Sequence, residues 1–288
     1  MQWKQDWGLR GRMVVTMFLL FAVYLAFIGA LWSANYAMFL PLMGVFVFVQ
    51  FFFSDKLALY SMGASAVDAN DYPQLHRMVE RLSQQADLPK PTVAVADSQV
   101  PNAFATGRSQ KKSTVAVTTG LLRTLDAQEL EGVLAHELAH IKNRDVMVMT
   151  IASFLSTVAF MIVRMGFWFG GGRNRQGGGF IVALLASLAV WIISFLLIRA
   201  LSRYREFAAD RGAALITGNP GALASALRSI DGRIDKVPQR DLREQAEMNA
   251  FFIIPIKSGF LGRLFRTHPP TDRRISRLND LSVELERA

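Results

Sequence analysis

The chain has 288 residues, 51% of them hydrophobic, with no cysteine and 32 lysines and arginines against 23 acidic residues. Its mean hydropathy of +0.25 points to a membrane protein, and the absence of cysteine excludes disulfides and thiolate metal sites. A basic excess suits either nucleic acid or anionic lipid. Because the charges gather at the ends of apolar runs, the lipid bilayer is the expected partner and nucleic acid is not.

No residue between Met13 and Ser54 is charged, a stretch too long for one span of about 20 residues. The polar break SANY (33–36) and Pro41 divide it into a hairpin, with spans predicted near 14–32 and 37–53. The first is longer than the roughly 7–15 apolar residues of a cleaved signal peptide, so it is expected to remain in the mature protein. Residues 64–90 read as helical, with Leu75, Met78, Val79, Leu82 and Ala86 at helical spacing. PTVAVAD (91–97) and STVAVTTGLL (113–122) alternate small and β-branched residues as strands do, and PNAFATG (101–107) between them is predicted as a short edge strand.

A helix is predicted from Asp126, its N-cap, with Glu129 completing an aspartate form of the capping box. Leu130, Val133, Leu134, Leu138 and Ile141 form its apolar stripe. No proline follows before Val163, so the helix is expected to run straight into a third span, 146–163, extending to Phe169. After the polar loop GGGRNRQGGG (170–179) comes a fourth span, 180–198, and then a helix stopped by Gly218, Asn219 and Pro220. PTDRRISRLNDLSVEL closes the chain as an amphipathic helix.

The expected fold is thus a predominantly α-helical membrane protein with four transmembrane helices and a small sheet. Its segments are a membrane hairpin (1–54), a polar segment (55–145), a second hairpin (146–198) and a second polar segment (199–288). Lys4, Arg10, Arg12, Lys56, Lys142, Arg144, Arg199, Arg203 and Arg205 would share one side, which the positive-inside rule makes the cytoplasm; Arg164, Arg173 and Arg175 fall on the other. An even number of spans separates Asp145 from Arg199, so the two polar segments face one compartment and can build one site.

HELAH supplies the chemistry. His136 and His140 are i and i+4 on a helix, so both imidazoles project from one face and can reach a single Zn²⁺, with Glu137 between them to take a proton from water. Catalytic zinc needs a third protein ligand, and YREFAAD offers Glu206 and Asp210, again four apart: one to bind metal, the other to orient a ligand histidine. Taken alone, Glu206 reads as an ion-pair partner of Arg203 or Arg205, His268 as a loop histidine before two prolines, and Asn143 and Asp145 as a polar helix segment at the membrane surface.

A transporter or channel is the alternative from another class, but the spans hold almost no ionisable residue. An intramembrane protease would carry the motif inside a span, whereas here Glu129 and Glu131 precede it and Lys142, Arg144 and Asp145 follow. A membrane chaperone with a structural zinc would have no use for Glu137.

The motifs PNAFATG, AHELAHIKNRD, REFAAD, NAFFIIP and THPPTDRRISRL, set in that order among four apolar runs, resemble the HtpX-type membrane zinc metalloproteases, relatives of the CAAX prenyl proteases. The resemblance covers essentially the whole chain. It implies a gluzincin-like α+β protease domain with one zinc held by His136, His140 and Glu206, and Glu137 as general base. It further implies Asp210 as the carboxylate fixing a ligand histidine, His268 near the cleft, and Asn102, Ala103 and Phe104 in a substrate-binding edge strand. The family's members imply a bacterial inner-membrane endopeptidase that degrades misfolded membrane proteins on the cytoplasmic side.

Overall fold

The computed structural model describes residues 7–33, 39–169, 178–234 and 269–287. The predicted positions His268 and NAFFIIP (249–255) and most of the glycine-rich loop lie outside the described residues. The described residues divide into two compact units, one of Phe53–Met147 with those from Arg205 on, the other of those from Trp7 to Phe52 with those within Val148–Tyr204.

The second unit is helical. It contains α1 (Trp7–Ser33), most of α2 (Phe39–Ser61), α6 (Asp145–Phe169) from Val148 on, and α7 (Gly178–Thr217) up to Tyr204. Leu20, Phe27, Ala152, Ala159, Val190 and Leu201 form its core, and the Tyr24 hydroxyl donates to the Ala152 carbonyl within it. Its outer surface is apolar: Phe18 is 66% exposed, Leu25 54% and Leu196 60%. Such a surface suits lipid rather than water. Among the described residues, Trp7–Gly29 and Leu184–Thr217 are long and apolar enough to cross a membrane.

The first unit holds a four-stranded sheet of order β1-β2-β4-β3, formed by β1 (Ala64–Ala66), β2 (Thr92–Ala96), β3 (Ala103–Ser109) and β4 (Lys112–Thr118). β2 and β4 pair in parallel; β1 and β3 are antiparallel edges. α3 (Pro73–Gln85), the short α4 (Thr119–Thr124), α5 (Ala127–Lys142), α8 (Pro220–Ile234) and α9 (Thr271–Glu286) complete the unit. Leu82, Val115, Leu134, Leu138, Leu227 and Leu278 join these elements in one core. The sequence marks α3, β2, β4, the end of α7 and α9, but β1 falls where a helix was expected. Three small residues carry no periodic signal, and pairing with β2 makes them a strand.

A second difference matters more for the site. α5 does not continue into α6: it ends at Lys142, Asn143 caps it, and Arg144 takes a left-handed backbone (φ 56°) before α6 starts at Asp145. A side chain in that conformation costs about 1 kcal/mol, so the break is imposed by tertiary contacts of Asp145 and not by a helix-breaking residue.

The start of α5 is fixed as expected. The Asp126 carboxylate accepts from the Glu129 amide (2.8 Å) and the Glu129 carboxylate accepts from the Asp126 amide (3.2 Å). The other Glu129 oxygen accepts from Ser225 (2.7 Å) and Ser229 (2.9 Å) of α8, which ties the two helices. They touch at Gly132, where a Cβ would lie 2.9 Å from the Leu223 nitrogen and 3.0 Å from its Cα. Both atoms are backbone and cannot rotate away. Gly132→Ala is therefore expected to destabilise the unit by about 1–3 kcal/mol despite alanine's better helix propensity, read as a lowered midpoint of thermal unfolding.

Candidate metal centre

α5 and α7 supply the donors. His136 and His140 stand one turn apart with their rings edge to face, 4.6 Å between centroids, and their Nε2 atoms 3.1 Å apart. Glu206 of α7 places Oε2 3.6 Å from the His136 Nε2 and Oε1 3.5 Å from the His140 Nε2. Tetrahedral zinc with bonds of about 2.0–2.1 Å keeps its ligand atoms about 3.3 Å apart. The observed separations of 3.1, 3.5 and 3.6 Å bracket that value, so the donor set fits the metal.

Each imidazole is held from behind through Nδ1. The His136 Nδ1 lies 3.0 Å from Asp210, whose carboxylate takes a two-pronged grip from Arg274, Nε at 3.0 Å and the second amine at 2.7 Å. The His140 Nδ1 lies 2.5 Å from Asp145, which in turn pairs with the Arg205 Nε at 2.8 Å. A carboxylate behind a ligand histidine sets its tautomer and raises its basicity. Asp145 is 2% exposed, so the expectation of a surface-polar Asp145 is corrected: it lies in the site's interior. Arg205 pairs with it, which leaves Glu206 to face the histidines and Arg274 at 3.6 Å.

Arg274, 1% exposed, is the residue that sequence reasoning missed altogether. Burial pushes its guanidinium down, yet the Asp210, Glu206 and Glu137 carboxylates hold it charged. Burial and Arg274 likewise push the His136 imidazole down, but the Asp210 and Glu206 carboxylates outweigh them and its pKa rises to about 9. Charge balance gives a second test of the metal. Four buried carboxylates, Glu137, Asp145, Glu206 and Asp210, share this cluster with two buried guanidiniums, Arg205 and Arg274. With neutral imidazoles a deficit of two positive charges remains, which one divalent cation fills. Buried charge left uncompensated is costly.

Glu137 is 5% exposed between the histidines. His140 is the outward ligand, its side chain 15% exposed, and it borders a cleft of about 320 Å³ that runs between the C-terminus of α5 and β3. Asn102, Ala103 and Phe104 are buried at the start of β3, and the Asn102 peptide is engaged by Thr118, its N–H donating to the hydroxyl (2.9 Å) and its carbonyl accepting from the amide (2.9 Å). β3 is an outer strand of the sheet, paired with β4 on one side. Asp145→Asn is expected to lower metal affinity about 10- to 100-fold, measured by competition with a chelator, because the amide cannot balance a buried Arg205 or fix His140.

The peptidase family M48 model matches residues 69–282 of the chain. "Protease HtpX homolog 2" of Methanosarcina mazei is 55% identical over 290 residues, covering 99% of both chains. The "Protease HtpX homolog" of Moorella thermoacetica is 51% identical over 99% of this chain and 98% of its own. The same name is carried by a Pyrococcus furiosus protein 44% identical over 83% of each. Among solved structures, that of S. mikatae Ste24p superposes with a TM-score of 0.55 at 18% identity, over 92% of this chain and 65% of that one, a likeness of fold.

Proposed function

The chain belongs to peptidase family M48 as an HtpX protease homolog, a metallopeptidase with its metal site at His136, His140 and Glu206, and from that premise we propose a membrane-embedded zinc endopeptidase that cuts misfolded membrane proteins on the cytoplasmic side. The observation that carries the zinc reading is the near-tetrahedral spacing of two Nε2 atoms and a carboxylate, 3.1 to 3.6 Å apart. The apolar outer surface of the helical unit supports membrane embedding, and four spans with both polar segments in the cytoplasm remain the topology the charge pattern favours.

Zinc, when bound, supplies Lewis acidity, lowering the pKa of a water toward about 7 and polarising a scissile carbonyl. The protein's own groups do the rest. Glu137 accepts the proton of the attacking water and returns it to the leaving amine. Asp210 and Asp145, each at an imidazole Nδ1, turn the Nε2 of His136 and His140 toward the metal and fix the rings in orientation, and Arg274 and Arg205 keep those carboxylates in place. His268 is proposed to donate a hydrogen bond to the developing oxyanion. An extended substrate would add to the outer edge of β3, the strand that begins after Asn102, with Ala103 and Phe104 anchoring it in the sheet. Backbone pairing reads few side chains, which suits unfolded substrates and a quality-control role in stress.

The test is metal content and cleavage of an unfolded protein by the purified chain in detergent. About one zinc per chain is expected, with activity lost on chelation and restored by zinc. Because metal must displace the proton His136 carries below a pKa of about 9, apparent zinc affinity should climb by up to about tenfold per pH unit between pH 6.5 and 9. A folded chain that cuts equally well without metal would sink the reading.

A further inference from the structure

The cleft beside His140 is lined by cations from two directions. Arg108 and Lys111 come from the β3–β4 hairpin and Arg144 from the break after α5. The hairpin tip is anchored there, since the Gln110 side chain donates to the Lys142 carbonyl at the end of α5 (3.0 Å). A bulge between Gly107 and Ser109 re-aims Arg108 out of the strand's alternation. Only glycine fits at its start: φ is +131° and a Cβ would lie 2.2 Å from the Lys112 carbonyl oxygen. Of the acids nearby, Asp55 approaches Arg108 at 3.8 Å and Asp145 is taken by Arg205 and His140. Among the described residues, Arg144 and Lys111 make no ion pair. The cluster therefore carries a net positive charge toward the cleft.

Arg144 is the telling member. A left-handed position after a helix is where glycine belongs, and here an arginine holds it at φ 56° with its side chain exposed. The helix dipole favours a cation near this end, but Lys142 already provides one, and the dipole does not explain cations on the facing hairpin.

We propose that Arg144, Lys111 and Arg108 form a specificity subsite that accepts an acidic side chain of the substrate close to the scissile bond. This rests on the protease reading and adds one side-chain preference to the backbone pairing along β3. Arg108, Lys111 and Arg144 line the same cleft as the metal ligand His140, so the acid is expected within about three residues of the cut peptide bond.

The test uses the full chain in detergent with a peptide series in which a single Asp, or Asn in its place, is moved through about three positions on each side of the cleavage site. At one position kcat/KM is expected to favour Asp by roughly 3- to 10-fold, shrinking toward one as salt is raised to about 0.5 M. Arg144→Gly relieves the backbone, so it should unfold no earlier than the wild type while the Asp:Asn ratio falls toward one. Arg144→Glu should move the preference to Lys. A ratio near one at every position in the wild type overturns the proposal, as does a ratio that Arg144→Gly leaves intact. Loss of binding to anionic-lipid vesicles in Arg144→Gly, with no change in that ratio, would assign the cluster to headgroups and equally overturn it. If no peptide is cut, equilibrium binding of the Asp and Asn peptides to Glu137→Gln decides: tighter Asp binding upholds the subsite while the protease reading fails, and equal binding sinks the subsite.

Discussion

Glu137→Gln keeps its zinc and loses cleavage by about 10²- to 10⁴-fold, the range that general-base catalysis contributes. Glutamine matches glutamate in size and leaves the two ligand imidazoles, their Asp210 and Asp145 supports and Glu206 untouched. What it removes is the buried carboxylate that the chain carries between its two histidine ligands and that is not one of the metal donors. Metal analysis and cleavage kinetics on one preparation check the result. Retained activity would move the base role elsewhere, and lost metal would make Glu137 part of the binding site.

Glu206→Ala has the opposite signature. It deletes a metal donor contributed by a helix remote in sequence from the other two, and it leaves Arg274 beside His136 without the carboxylate now 3.6 Å away. Removal of outer carboxylates typically costs 10- to 100-fold in metal affinity, so loss of a direct donor should cost more than about 100-fold, with activity lost in parallel. Helix content and the unfolding midpoint in zinc-free buffer separate metal loss from misfolding. A Glu206→Ala chain that still binds one zinc at wild-type affinity would remove Glu206 from the donor set.

The half of the site that follows from local rules was legible in the chain. The capping box fixed where α5 begins, and from there the i, i+4 spacing of His136 and His140 follows directly. Glu206 and Asp210 were legible as a pair for the same reason, on one face of α7. Asp145 and Arg274 were not. Each is a charged residue in a charged neighbourhood, KNRD and TDRRISR, and such runs normally face water; only the packing of α9 and the end of α5 around the histidines buries them. The break at Arg144 was hidden likewise, since no proline or glycine marks it and Asp145 is held across it by His140 and by Arg205, a partner remote in sequence. β1 was missed because three small residues become a strand only when β2 offers an edge.

The Gly132 contact bears on how such a chain can change over generations. With α5 seated backbone to backbone on α8 at Gly132, one turn before His136 and on the same side of the helix, that turn has no slack, and a larger residue there would shift the pitch of both histidines. The hairpin across the cleft is held at Gly107 and by the Gln110 anchor to Lys142, but its cations lie on exposed or half-exposed positions. New substrate preferences should therefore accumulate at Arg108, Lys111 and Arg144, while α5, which bears both histidines, drifts least.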